Sequence, residues 1–167
     1  RVLYAEHHSA DIDLTKRHLA RYAPHIQLEI VKTSQEVLSL IASDESASRY
    51  DVLMLDYRMP GMNALDIIKE LEYRDAPKLP VVLVTGQGDE EVAVQALRLG
   101  MADYLVKNPG YLFQLPRMIE NTYTQTLLQR ERAALYESEQ RYRSLFDLAP
   151  VAIVTKDLSG IYTSSNT

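Results

Sequence analysis

Apolar residues along the chain gather in four short blocks: Val2-Leu3-Tyr4-Ala5, Val52-Leu53-Met54-Leu55, Val81-Val82-Leu83-Val84 and Tyr104-Leu105-Val106. Unbroken apolar runs of this length read as strands buried on both faces. A fifth stretch, residues 27–32, alternates polar and apolar side chains, as a strand near a sheet edge does when one face is open. Between the blocks the period shifts to that of amphipathic helices, over residues 10–22, 35–43, 64–73 and 90–99, with Gly100 in the place of a C-cap. Strand and helix alternate five times. Parallel strands need crossovers, and helical crossovers cover both faces of the sheet. The pattern therefore predicts an α/β fold, a five-stranded doubly wound parallel sheet with a C-terminal helical extension.

After Lys107 the turn Asn108-Pro109-Gly110 leads into a helix expected to start near Pro116, a residue tolerated in a first helical turn. No breaker follows until Pro150. Leu128, Leu135 and Tyr142 recur at sevenfold spacing with Phe146 beside them, the pattern of a connector that can pair with itself in a homodimer. Arg132 and Glu139 fall in the same seam, so a single amphipathic helix with a solvated outer half also fits. Residues 151–167 offer a short apolar run, a turn at Asp157-Leu158-Ser159-Gly160 and a second strand from Ile161. Two strands alone are marginally stable, and the tail reads as the opening of a further domain.

Composition narrows the classes. The 167 residues give room for one well-packed domain plus an appendage. A formal net charge of −5 argues against a surface built to neutralise nucleic-acid phosphates, so no nucleic acid is expected as partner. The absence of cysteine excludes disulfides, thiolate metal sites and cysteine catalysis. No apolar run approaches the roughly 18–20 residues of a membrane helix, and no signal-peptide pattern stands at the N-terminus. A cytoplasmic setting without membrane contact is the expectation. The chain begins at Arg1 and not at methionine, as an excised piece of a longer protein would.

In an open parallel sheet, ligands bind beyond the carboxyl ends of the strands, near the switch in strand order. Glu6, His7 and His8 follow the first block, Asp56 follows Leu55, Thr85 follows Val84, and Lys107 follows Val106. Two carboxylates, a hydroxyl and an ammonium thus converge on one edge. No glycine-rich phosphate loop follows the first strand, which leaves a nucleotide site without support. A carboxylate such as Asp56 can attack phosphorus and form an aspartyl phosphate. Catalysis of that step is mainly positioning and neutralisation of the charge spread over the phosphoryl oxygens. Lys107 and Mg2+ held by Glu6, Asp56 and a backbone carbonyl near Arg58 would supply it, and Thr85 would donate its hydroxyl to a phosphoryl oxygen.

These residues resemble the receiver domain of response regulators in two-component signalling. The match rests on Asp56 in Leu55-Asp56-Tyr57-Arg58-Met59-Pro60-Gly61-Met62, on Thr85-Gly86, and on Ala102-Asp103-Tyr104-Leu105-Val106-Lys107, all in order. The resemblance implies a flavodoxin-like sheet of order 2-1-3-4-5. It makes Asp56 the phosphoacceptor, Thr85 the switch hydroxyl, Lys107 the phosphate-binding cation and Tyr104 the aromatic that follows the switch. It implies a histidine kinase or phosphotransfer protein as donor, and no separate enzymatic activity. The family usually has two adjacent acidic residues after the first strand, where this chain has Glu6 and then His7. A neutral imidazole is a poorer ligand for Mg2+ and a better one for later transition metals. His7 is read as a bystander or weak water-mediated ligand, because no other histidine or cysteine has the spacing of a zinc site, and His8 as an exposed loop residue. Met54, Met59, Met62 and Met101 are read as packing residues.

The segment Glu139-Gln140-Arg141-Tyr142-Arg143-Ser144-Leu145-Phe146, then Ala149-Pro150-Val151-Ala152-Ile153 and the 157–160 turn, resembles the start of a PAS sensor domain. The expected organisation is a receiver over 1–122, a helical connector over 123–145 and a truncated PAS-like start over 146–167. The implied function is a phosphoacceptor that relays to a PAS-containing output. Its rival is a receiver-like scaffold that works without phosphorylation. An aspartate-nucleophile phosphatase of the haloacid dehalogenase type is disfavoured, because Arg58 stands where its Asp-x-Asp pattern needs a second aspartate.

Overall fold

The computed structural model describes residues 1–42, 44–86, 90–147 and 154–165. Strands β1 (Val2–Ala5), β2 (Leu28–Val31), β3 (Val52–Asp56), β4 (Val81–Thr85) and β5 (Asp103–Val106) form a parallel sheet of order β2-β1-β3-β4-β5, the expected doubly wound arrangement. Every residue of β1, β3 and β4 is buried, as their unbroken apolar runs require, whereas β2 is mostly half-buried at its edge. The crossovers are α1 (Ser9–Tyr22), α2 (Ser34–Leu40) with the single turn α3 (Asp44–Ala47), α4 (Ala64–Tyr73) and α5 (Glu90–Arg98), and the long α6 (Tyr111–Asp147) follows β5.

Strand alternation sorts the core into two layers. Leu3, Ala5, Leu53, Leu55 and Leu83 face Val37, Leu38, Ile67, Ile68 and Ala96 of α2, α4 and α5. Val2, Tyr4, Met54, Val82 and Val84 face Leu19 of α1 and Leu115 and Ile119 of α6. Met54, Met59 and Met101 are buried and Met62 packs against the first layer.

Local chemistry explains the helix boundaries. At α2, Thr33 accepts from the Glu36 amide at 3.3 Å and the Glu36 carboxylate accepts from the Thr33 amide at 3.3 Å, a capping box that satisfies two otherwise unpaired donors. Helix α2 ends at Leu40, before the expected limit at position 43, which lies outside the described residues. At α4, Asn63 accepts from the Asp66 amide. Gly100 closes the turn after α5 with φ +77°, a conformation that costs glycine little.

Helix α6 starts at Tyr111, five residues before the expected Pro116. Gly110 at φ +90° and the bonds Tyr111 N–H to Asn108 O and Phe113 N–H to Gly110 O begin the helix directly from the turn. Pro116 then lies in the second turn, where it removes the donor that would have bonded Leu112 O.

The chain divides into two units, Arg1–Gln125 and Thr126–Thr167. In the second, Leu128, Leu135, Tyr142 and Leu145 are exposed, and Tyr142 stacks on Phe146 with ring centroids 6.1 Å apart. Arg141 pairs with Glu137 and Arg143 with Glu139, each one helical turn away. An antiparallel hairpin, β6 (Val154–Lys156) and β7 (Tyr162–Ser165), closes at Asp157, whose carboxylate accepts from the Ser159 and Ile161 amides, both at 2.9 Å. The expected apolar run at 151–153 lies outside the described residues.

Candidate functional site

The carboxyl edge of the sheet is built by extending the ladders past the last apolar residue of each strand. Glu6 N–H bonds Val31 O at 3.0 Å, Tyr57 N–H bonds Val84 O at 2.8 Å, and Lys107 N–H bonds Thr85 O at 2.7 Å. Glu6, Asp56 and Thr85 are consequently buried, at 0%, 5% and 0% exposure.

Lys107 is the centre of the site. Its Nζ lies 2.7 Å from Asp56 Oδ1, 2.6 Å from Glu6 Oε2 and 2.7 Å from Asp11 Oδ2. Burial disfavours the ammonium, but hydrogen bonds to Asp11, Asp56 and Glu6 outweigh it and raise the Lys107 pKa above the ordinary lysine value. Burial likewise disfavours the Glu6 carboxylate, yet the bonds from Lys107 and the His8 amide hold its pKa below the usual carboxylate range. The pocket carries three carboxylates around one ammonium, an excess of negative charge that attracts a cation or tolerates one carboxylate being esterified.

Asp56 Oδ2 accepts from the Arg58 amide at 2.9 Å, which orients the carboxylate at the mouth of β3. The Met59-Pro60-Gly61 turn beyond it is held by Ser34, whose hydroxyl donates to Pro60 O at 3.1 Å. Gly61 has φ +90°, and a Cβ there would come within 3.0 Å of Ser34 Oγ, so that turn needs glycine for both conformation and space. Thr85 donates to the Gly86 carbonyl at 3.1 Å. Tyr104 lies on β5, opposite Leu83 in register, and is 38% exposed.

Of the residues singled out in the sequence, Glu6, Asp56 and Lys107 are brought into direct contact. Two participants escaped sequence reading. Asp11 sits in the first turn of α1, and only three residues separate β1 from that helix, which obliges its first turn to face the same edge. That short loop was the available signal. Tyr4, read as a strand apolar residue, donates its hydroxyl to Glu6 Oε2 at 3.2 Å, as two residues on one face of a strand can. Burial and the neighbouring Glu6 raise the Tyr4 pKa, which keeps it a neutral donor. His7 and His8 stand beside Glu6, with Nδ1 atoms 3.7 and 3.4 Å from Oε1.

A family model for the response regulator receiver domain matches residues 2–116. The cyclic di-GMP phosphodiesterase response regulator RpfG of Xanthomonas campestris pv. campestris is 34% identical over 126 residues, covering 66% of this chain and 32% of that protein. The DNA-binding transcriptional regulator NtrC of Escherichia coli is 43% identical over 72 residues, covering 43% of this chain and 14% of that protein. Among solved structures, a response regulator receiver domain protein from Clostridium thermocellum superposes with a TM-score of 0.65 at 26% identity, covering 77% of this chain and 97% of that one. The chain thus spans about a third or less of these two curated relatives.

Proposed function

The chain belongs to the response regulator receiver family, and on that premise we propose that it accepts a phosphoryl group on Asp56 from a phosphohistidine of a histidine kinase or phosphotransfer protein. The observation that carries this reading is the 2.7 Å contact of Lys107 Nζ with Asp56 Oδ1, at the end of a buried strand. An Asp56 oxygen attacks phosphorus, the P–N bond of the donor breaks, and the released imidazole takes up a proton. Lys107 neutralises charge on the transferring group, and the Arg58 amide orients the attacking carboxylate. Thr85 exchanges its bond to Gly86 O for one to a phosphoryl oxygen, and Tyr104, half-exposed on the neighbouring strand, follows it. The chain itself carries no separate enzymatic activity in this reading. Its signal passes along α6 to a PAS-like module that opens with the β6–β7 hairpin.

Receiver domains generally bind Mg2+ at the acidic pocket. Mg2+ needs near-octahedral oxygen ligands and keeps several waters. Of the expected set, Glu6 is fully buried with Oε2 on Lys107 and Oε1 on the His8 amide, and Asp56 is engaged by Lys107 and the Arg58 amide. Where the family usually has a second carboxylate stands the nitrogen donor His7. Glu6, Asp56 and the backbone carbonyl near Arg58 would hold the ion, with His7 a weaker donor, and the ion would add to the neutralisation of charge on the phosphoryl oxygens; no step above passes through it.

The test is incubation with acetyl phosphate, with and without Mg2+ or Mn2+, followed by intact-mass spectrometry. One added phosphoryl mass, absent in Asp56→Asn, is expected. No modification under any of these conditions would sink the phosphoacceptor reading and favour the phosphorylation-independent scaffold.

A further inference from the structure

We propose that Glu6, His7 and His8 form a site for a borderline divalent transition-metal ion, with Zn2+ as its reference occupant, which shares Glu6 with the oxygen set around Asp56 but does not use Asp56. Three donor atoms from these residues lie within 4.8 Å of one another, and no other such group of histidine or acidic side chains occurs among the described residues. The imidazole Nδ1 atoms of His7 and His8 stand 3.7 and 3.4 Å from the same oxygen, Glu6 Oε1. Two ligand atoms at about 2.0–2.2 Å from a tetrahedral ion lie about 3.3–3.6 Å from each other. The His8 separation falls within this range and the His7 separation lies 0.1 Å beyond it.

His7 Nδ1 is a second, independent indication. It is enclosed by protein and has no hydrogen-bond partner, although it points toward a carboxylate. A buried polar nitrogen without a partner is unfavourable, and an ion at this place satisfies it. The two oxygens of Glu6 divide the work: Oε2 holds Lys107 at 2.6 Å, and Oε1 accepts from the His8 amide at 2.8 Å while facing both imidazoles. Three protein ligands leave a fourth position for water, as in open zinc sites. His8 is largely exposed and His7 partly so, which gives the ion a path from solvent. Imidazole nitrogen selects later first-row ions over Mg2+, and the excess of carboxylates over ammonium at Lys107 adds long-range attraction.

The inference stands on the loop between β1 and α1 and does not depend on phosphorylation of Asp56. It is tested by calorimetric titration of the untagged chain with Zn2+, Co2+ and Mg2+, and by the visible absorption of the Co2+ form. Zn2+ and Co2+ should bind one per chain, at least about tenfold tighter than Mg2+, with His7→Asn/His8→Asn weakening Zn2+ by about 10- to 100-fold or more. Asp56→Asn should leave Zn2+ affinity unchanged, because Asp56 is not a ligand here. Loss of Zn2+ binding in Asp56→Asn would overturn the proposal by placing the ion in the acidic pocket, and so would equal binding in the double-histidine variant. Circular dichroism checks that the variants fold; both histidines are solvent-accessible, and His7→Gln/His8→Gln gives a second pair should the first fail.

Discussion

The carboxyl edge of the sheet and the distal half of α6 are held by opposite kinds of contact. At the edge, Lys107 meets Glu6, Asp11 and Asp56 across 101, 96 and 51 residues of sequence. Along distal α6 the ion pairs join Arg141 to Glu137 and Arg143 to Glu139, both four residues apart, and Tyr142 stacks on Phe146 at the same spacing. The edge exists because the strands stop at one level; the ion pairs and ring contact described for the distal helix lie within its own turns. Disturbing one residue should therefore be costly at the edge and cheap on the helix.

The largest effect is expected at Lys107. Lys107→Ala removes the only ammonium that touches Asp56 among the described contacts and leaves three carboxylates facing one another. The rate of Asp56 phosphorylation by acetyl phosphate should fall about 10²–10³-fold, the cost of losing one preorganised charge donor. Rates followed by intact mass at matched phosphodonor decide it. A rate within about threefold of the original would mean that the non-local cluster is structural only.

That difference also governs what could be read in the sequence. Asp56, Thr85 and Lys107 were legible because each directly follows an apolar strand, and the sheet order follows from the strand and helix periods. Asp11 was not, since an acid in a first helical turn is common and only the shortness of the preceding loop brings it to Lys107. The start of α6 was misplaced because Pro116 resembles a first-turn residue, whereas the turn at Gly110 begins the helix earlier. His8 was assigned to solvent on residue type; its exposure agrees, yet its ring faces Glu6.

Helix α6 lets the comparison be made within one element. Leu115 is 1% exposed and packs into the layer with Val84 and Leu105, whereas Leu135 is 70% exposed. Leu115→Ala should destabilise the receiver by about 2–4 kcal/mol, the transfer and cavity cost of a buried leucine. Urea unfolding followed by circular dichroism measures it, and a change under about 1 kcal/mol would show that the first half of α6 is as loosely held as the second.

A smaller effect is expected from pH. The Glu6 pKa is lowered by folding, so its stabilisation is present above its ordinary value of 4.5 and is lost as pH falls through the lowered folded value. The Lys107 pKa is raised, so its stabilisation is complete below its ordinary 10.5 and is lost as pH rises through the raised value. The melting temperature attributable to the cluster should be flat between these limits. In Lys107→Ala the alkaline limb should disappear and the acid loss should shrink. An unchanged profile in that variant would remove the cluster from the account of stability.

The smallest effect is expected at Leu135, and it discriminates between two states of the distal helix. In a single solvated helix, Leu135→Ala gives up little buried area and gains slightly in helix propensity, so stability should change by less than about 0.5 kcal/mol. In a self-paired helix, Leu128, Leu135 and Tyr142 form the seam, and removing its middle leucine deletes a packed side chain from both partners. The cost would then be several times larger and would depend on protein concentration, because association couples stability to mass action. Arg132 and Glu139 in the same seam weigh against pairing, since each would lose water on association. Melting curves of the original and Leu135→Ala at concentrations a hundredfold apart separate the states. Coincident curves mean that the distal helix is held by its own turns, and a concentration-dependent gap means that its contacts are as non-local as those of Lys107.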